Sequence, residues 1–322
     1  MPQAIYHHRF DNGLSLLAQD MPWLESASFT FLVPCGAIHD PENKLGLANL
    51  LCDMVQRGSG ERNSRQFVEA LERLGVDRSG APMLSHTSYS GATLANSLLP
   101  ALGLFADLIR QPQFPEDQFE EAQQVCFHEL RAVEDDLAHR TMNRTRALQF
   151  PAPWGRTVAG ELQHVAAMTY ADAVQQFEKH YQPNELIVSV AGKLDWPALR
   201  DEIEKLFGDW KSNPVSRPEE TAVDTTRDHM TGDSQQTHIG IAYPSVPYDH
   251  EDYYQARGAV GVLSEGMSSR LFTEVREKEG LCYSISQPSH LSEIAEPYSA
   301  TPLPVRIRHK KRSTLRCVNC VA

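Results

Sequence analysis

The sequence predicts an α+β fold of two similar units, each an antiparallel sheet with helices packed on one side, the second unit incomplete. Three observations predict it. The 322 residues exceed what one compact core usually holds. Short strand-like runs alternate with amphipathic helical runs, the pattern of a sheet covered by helices. Finally, Lys211 to Ser234 is polar, carries prolines and mixed charge, and has no apolar period; beyond it a strand, helix, helix, strand order parallels that of Ser26 to Leu94. The expected boundaries are a first domain over 1–212, a linker over 213–234, the start of a second domain over 235–289, and a basic tail over 290–322.

In the first part, Tyr6 to Asp20 reads as a hairpin, because Asn12-Gly13 supplies the positive φ angles of a tight turn. Ser26 to Val33 is a strand. Lys44 to Gln56 is a helix with Leu47, Leu50, Leu51 and Met54 on its apolar face and Gly58 beyond its end. Ser64 to Leu74 is an amphipathic helix, capped by Ser64, with Phe67, Leu71 and Leu74 inward. Met83 to Leu94 is strand-like, with Thr87, Tyr89 and Thr93 as β-favouring residues. Helices follow over Leu98 to Ile109, Pro115 to Asp135, Thr141 to Leu148 and Ala171 to His180. A buried strand over Leu186 to Val190 and a helix over Ala198 to Phe207 close the unit near Trp210.

The second part restarts with a strand over His238 to Tyr243 and a helix over His250 to Leu263. From Ser268 to Lys278 the apolar residues Leu271, Phe272 and Val275 recur at helical spacing, and Gly280 ends the helix. The strand after it alternates, with Leu281, Tyr283 and Ile285 on one side and Cys282, Ser284 and Ser286 on the other. Arg276 in the last helical turn and Tyr283 on the strand thus bring two hydrogen-bond donors near one sheet edge. Such a pair suits an oxyanion; Arg276 equally suits the helix dipole, and Tyr283 the packing of its aliphatic neighbours.

Composition narrows the function classes. A formal net charge of -12 argues against nucleic acid as a partner. With 41% hydrophobic residues and no long apolar run, the chain reads as globular and without a membrane span. MPQAIYHHRF lacks the basic, apolar, small-residue series of a secretory signal, so the expected compartment is the cytoplasm. Six scattered cysteines suit reduced thiols. His86, alone on a strand, reads as structural. After His290 the chain has a basic run, Arg306 to Arg312, and no periodic core face; it reads as a disordered terminus, truncated or out of frame. The lone Cys317-x-x-Cys320 lacks the second pair of a structural zinc site.

The string MSSRLFTEVREKEGLCYSI, over 267–285, resembles the C-terminal-half signature of the M16 (pitrilysin/insulinase) zinc peptidases, and the chain resembles their bacterial processing-peptidase branch over about Tyr6 to Ser286. The resemblance implies that Arg276 and Tyr283 hold the scissile carbonyl. It also implies that the helix over Lys44 to Gln56 occupies the place of H-x-x-E-H, whose histidines bind zinc while the glutamate is general base. GLANLLCDM stands there, so Asn49 and Asp53 replace the histidines and Cys52 the base; Glu129, 76 positions beyond Asp53, falls where the third ligand belongs. None of the thirteen histidines builds a substitute motif. Likewise, FPAPWGRTVAG resembles the family's H-P-Y-G-R-P-x-x-G loop with Phe150 for the histidine, and Met83 to Leu94 falls where the family's edge strand pairs with substrate peptide. The expectation is a subunit without its own zinc or other cofactor, inactive as an endopeptidase by itself. A heterodimeric partner bearing H-x-x-E-H supplies the zinc; the alternative is a peptide-binding or structural scaffold of the same fold.

Overall fold

The computed structural model describes residues 4–212, 227–242, 245–286 and 306–309. Two compact units emerge, one of Met1–Arg131 with Arg156–Glu219 and one of Ala132–Gly155 with Glu220–Ala322. The first unit opens with β1 (Ala4–Arg9) and β2 (Ser15–Asp20), then β3 (Ser26–Val33) and α1 (Leu47–Val55). A two-residue ribbon, β4 (Gly58–Ser59) and β5 (Arg62–Asn63), leads into α2 (Ser64–Arg73), β6 (Asp77–Pro82), β7 (Thr87–Leu94), α3 (Leu98–Arg110) and α4 (Phe119–Asp135). After α5 (Leu137–Gln149), which belongs to the other unit, come α6 (Leu162–Ala167), α7 (Tyr170–His180), β8 (Ile187–Gly192) and α8 (Trp196–Phe207).

The six long strands form one sheet in the order β1-β2-β8-β3-β7-β6. Four of its five pairings are antiparallel; β2 and β8 run parallel, because β8 returns only after the helical crossover from β7. The sheet is therefore mixed rather than wholly antiparallel. The hairpin turn is as expected: Gly13 has φ +92, and an added Cβ would meet Asn184 Oδ1 at 2.5 Å. Along β3 burial alternates, with Ala27, Phe29, Phe31 and Val33 inward and Ser26 and Ser28 exposed. The inward rings pack on the helices: Phe29 lies edge-on to Phe105 of α3 at 4.8 Å, and Phe31 is 5.9 Å from Phe207 of α8.

Two local expectations change. The cap of α2 is Asn63, not Ser64: its side chain accepts from Gln66 N–H at 3.0 Å and Gln66 Oε1 accepts from Asn63 N–H at 3.0 Å. The edge strand is β6, not the run over Met83 to Leu94. Within that run, β7 is paired on both sides, by β3 and by β6. DRSGAP contains none of the usual β formers and is extended because β7 offers it a ladder.

In the second unit, α5 packs with β9 (Thr237–Ile239), followed by α9 (Tyr253–Ser264) and β10 (Cys282–Ser286). Gly240, just after β9, is required by close approach: an added Cβ would stand 2.0 Å from Thr145 Oγ1 of α5. Arg144 of α5 also bonds Asp228. Residues 132–155, assigned above to the first domain, thus group with the second unit. Residues 213–226 of the expected linker and Cys317-x-x-Cys320 lie outside the described residues. Within the basic run, Arg306–His309 is not disordered: it forms β11, inserted between β10 and β9 as an antiparallel neighbour of both.

Candidate functional site

Helix α1 is positioned from its N-terminus. The buried carboxylate of Asp40 accepts the N–H groups of Gly46 at 2.8 Å and Ala48 at 2.9 Å, taking the place of a side-chain cap. Arg156, from the FPAPWGRTVAG loop, donates from Nη1 to the Asp40 carbonyl at 2.6 Å and to those of Ala37 and Ile38 at 3.4 Å. Gly160 of the same loop crosses Gly46 so closely that an added Cβ would lie 2.2 Å from the Leu45 carbonyl oxygen, and its φ is +80. Phe150, at the loop's start, is buried.

With Leu47, Leu50, Leu51 and Met54 in the core, α1 turns Asn49, Cys52 and Asp53 toward α4 and the sheet edge. The structure brings Asn49 and Glu129 together: Asn49 Nδ2 donates to Glu129 Oε2 at 2.7 Å and touches Cys126 Sγ at 3.8 Å. Asp53 is bound instead by Arg57, one turn on, at 2.5 Å; Arg57 also reaches Gln118 Oε1 at 3.4 Å and Glu121 Oε2 at 3.6 Å. Cys52 is buried. Burial pushes its thiol up to about 12, against a hydrogen bond from Tyr89 that lowers it; burial does the same, to about 12, for Cys126.

This arrangement does not fit zinc. A metal needs converging lone pairs from deprotonated ligands. Here an amide N–H points at the Glu129 carboxylate, a guanidinium holds Asp53, and the thiols stay protonated. Among the described residues no three His, Cys, Asp or Glu side chains are grouped to hold a metal.

Sequence reasoning missed the residues that engage these positions. Asp53 and Arg57 stand at i, i+4 on a helix, a signal available in the sequence. Cys126, one turn before Glu129, was equally visible. Gln56 and Tyr89 carried no such signal. Gln56 Nε2 donates to the Cys52 carbonyl at 3.0 Å, and its Oε1 accepts from Arg78 Nη1 of β6 at 2.9 Å, so the amide lies against Gly80 of the edge strand. His86 is half-buried, with Nδ1 2.9 Å from Oγ of the adjacent Ser85.

Arg276 and Tyr283 lie in the second unit, and their local structure departs from expectation. Phe272–Lys278 is π-helical rather than α-helical, with Glu279 N–H bonded to the Glu274 carbonyl at 3.2 Å, five residues back. This winding sets the Arg276 guanidinium 4.4 Å from the centre of the Phe272 ring, with Glu277 at 3.7 Å. In β10 a register shift between Cys282 and Ile285 breaks the alternation, so both of these are buried while Tyr283 is 68% exposed. Tyr283 therefore does not share a face with Ile285. Both candidate donors are open to solvent, Arg276 by 40% of its side chain.

Comparison with known proteins completes the picture. The family model described as insulinase (peptidase family M16) matches residues 16–161, and the one described as peptidase M16 inactive domain matches 167–293. A zinc protease of Rickettsia felis is 25% identical over 281 residues, spanning 86% of this chain and 68% of the relative. One of Bacillus subtilis is 25% identical over 288 residues, spanning 87% and 69%, and one of Mycobacterium tuberculosis 28% over 326 residues, spanning 96% and 73%. Both are, like the first, described as uncharacterized. Among solved structures, a protease from Helicobacter pylori superimposes with a TM-score of 0.82 at 18% identity, covering 97% of this chain and 76% of the other. An M16 inactive domain from Pseudomonas fluorescens gives 0.82 at 18%, covering 95% and 74%.

Proposed function

The chain belongs to the M16 peptidase family, and on that premise we propose that it is the non-zinc subunit of a heterodimeric M16-type endopeptidase. The observation that carries the reading is the state of α1: each group standing where the chemistry would be is engaged otherwise, Asn49 by Glu129, Asp53 by Arg57 and Cys52 by its own buried proton. The chain meanwhile keeps Arg276 and Tyr283, solvent-accessible, in the M16 C-terminal match. In this reading zinc, general base and attacking water belong to a partner chain carrying H-x-x-E-H.

This chain's own contribution has two parts. The exposed edge of β6 lends backbone N–H and C=O groups to an extended peptide, holding it with little demand on side chains. Arg276 and Tyr283 donate hydrogen bonds to the scissile carbonyl, and these strengthen as charge develops on its oxygen. Losing one such donor costs about 2.7–4 kcal/mol in the transition state, or about 10²–10³ in kcat. The test is turnover by the pair reconstituted with its H-x-x-E-H partner: Arg276→Ala lowers kcat by that factor, and an unchanged rate excludes the role. The runner-up, a peptide-binding scaffold without chemistry, is favoured by the open edge of β6 alone, and the same unchanged rate selects it. Among the described residues no helix is long and apolar enough to cross a membrane, and the cytoplasm remains part of the proposal.

A further inference from the structure

His180 closes α7 at 2% exposure, and among the described residues neither of its ring nitrogens has a hydrogen-bond partner. Its ring lies 4.9 Å from that of His39, tilted by 46°. His39 ends the single turn Ala37–His39 that leads into Asp40 and so into α1. That turn is tied at both ends: His39 Nδ1 accepts the Gly36 N–H at 3.1 Å, and the His39 carbonyl accepts Gln176 Nε2 of α7 at 3.1 Å. Neutral rings suit the place; a cation does not. The charged or titratable groups acting on the pair are each other, Lys179 of α7, which acts on both rings, and His86 from the segment before β7, which acts on His39. Glu185 acts on His86; Asp40, which accepts the N–H groups of Gly46 and Ala48, is pushed by burial up to about 7, so it takes up a proton over the same range and, because that proton favours the folded form, opposes any opening here.

We propose that His39 and His180 form an acid-released latch: a proton on either ring creates a buried cation beside another histidine and Lys179, and the turn Ala37–His39 parts from the end of α7. What parts is the approach to Asp40, the group that caps α1, so the latch governs the order of the helix carrying the former zinc site. The inference rests on the first unit's own contacts and not on the proposed function. Burial, joined by the neighbouring cations, pulls His180 down to about 3 and His39 to about 4. Because both folded values lie below the ordinary one, the latch is fully closed above about pH 6.5 and weakens as the pH falls through 6.5 toward these values. At pH 5, release of one ring to its ordinary value favours opening roughly thirtyfold.

Cys35, fully buried just before the turn, with its carbonyl held by Thr87 Oγ1 at 2.5 Å, is the reporter. The whole chain is treated at pH 5 and pH 7.5 with a pyridyl disulfide that reacts at acid pH, rates are normalised to the denatured chain, and sites are read by peptide mass. Cys35 should react at least about tenfold faster at pH 5, as the thirtyfold release per ring allows, while Cys126, buried in α4, stays protected at both. His180→Leu, which leaves only His39 to take up a proton, should reduce the pH dependence, as should His39→Gln at a less buried position, which stands in if the first variant does not fold. Cys35 and Cys126 opening together, no acceleration at pH 5, or acceleration unchanged in both variants each overturns the proposal.

Discussion

Removing one partner of the Asn49–Glu129 bond should cost very different amounts depending on which partner goes. Asn49 is only 8% exposed, whereas Glu129 lies at the surface. Glu129→Ala leaves a buried amide donor without its acceptor, a loss of about 1–3 kcal/mol. Asn49→Leu removes the donor, fills nearly the same volume and lets the carboxylate return to water, so it should fall within about 1 kcal/mol of the parent. The double variant should match Asn49→Leu alone, giving a coupling as large as the Glu129→Ala penalty, about 1–3 kcal/mol. Urea unfolding followed by tryptophan fluorescence reads this: with a slope of about 2 kcal/mol/M, Glu129→Ala lowers the midpoint by roughly 0.5–1.5 M and Asn49→Leu by less than about 0.5 M. A chelator should shift neither midpoint. Equal penalties for the two variants, or a chelator-sensitive parent, would refute the argument that an amide stands where a metal would.

Other outcomes follow from the packing and the titrating groups. Gly240→Ala should destabilise the second unit by about 1–3 kcal/mol, since its Cβ would meet Thr145 Oγ1 at 2.0 Å; adding Thr145→Ala should recover most of the loss in thermal melts. Cys52 and Cys126 stay protonated in the fold up to about 12, so their contribution is whole below the unfolded thiol value near 8.5 and is lost as the pH rises from there toward 12. At pH 9.5 this amounts to about 1.4 kcal/mol per thiol. Denaturant titrations should show the alkaline loss at pH 9.5 smaller by about 1.4 kcal/mol in Cys126→Ala, with Cys35 and Cys52 still contributing; an unaltered loss would mean that the thiol already ionises in the folded chain.

What was legible in the sequence is what has a period or a punctuating residue. The Asn12-Gly13 hairpin, the apolar face of α1 and the alternation of β3 come from residues whose chemistry and burial agree. Asn49, Cys52 and Asp53 of α1 were legible residue by residue, but not what surrounds them, because Gln56 and Tyr89 arrive by tertiary folding. The edge strand was invisible: DRSGAP has the composition of a loop, and only pairing with β7 extends it. The pairing of β10 was misread because a register shift leaves no mark on a simple alternation. The grouping of α5 with β9 hung on one glycine, Gly240, whose meaning depends on a threonine 95 residues earlier.

The most direct test of the central reading is a mild affinity purification of this chain from its native cell, with every co-purifying protein identified and counted. The account predicts a chain of similar size bearing H-x-x-E-H, recovered in equal amount, with peptidase activity only when both are present. A chain recovered alone that hydrolyses peptides in a chelator-sensitive way would contradict it.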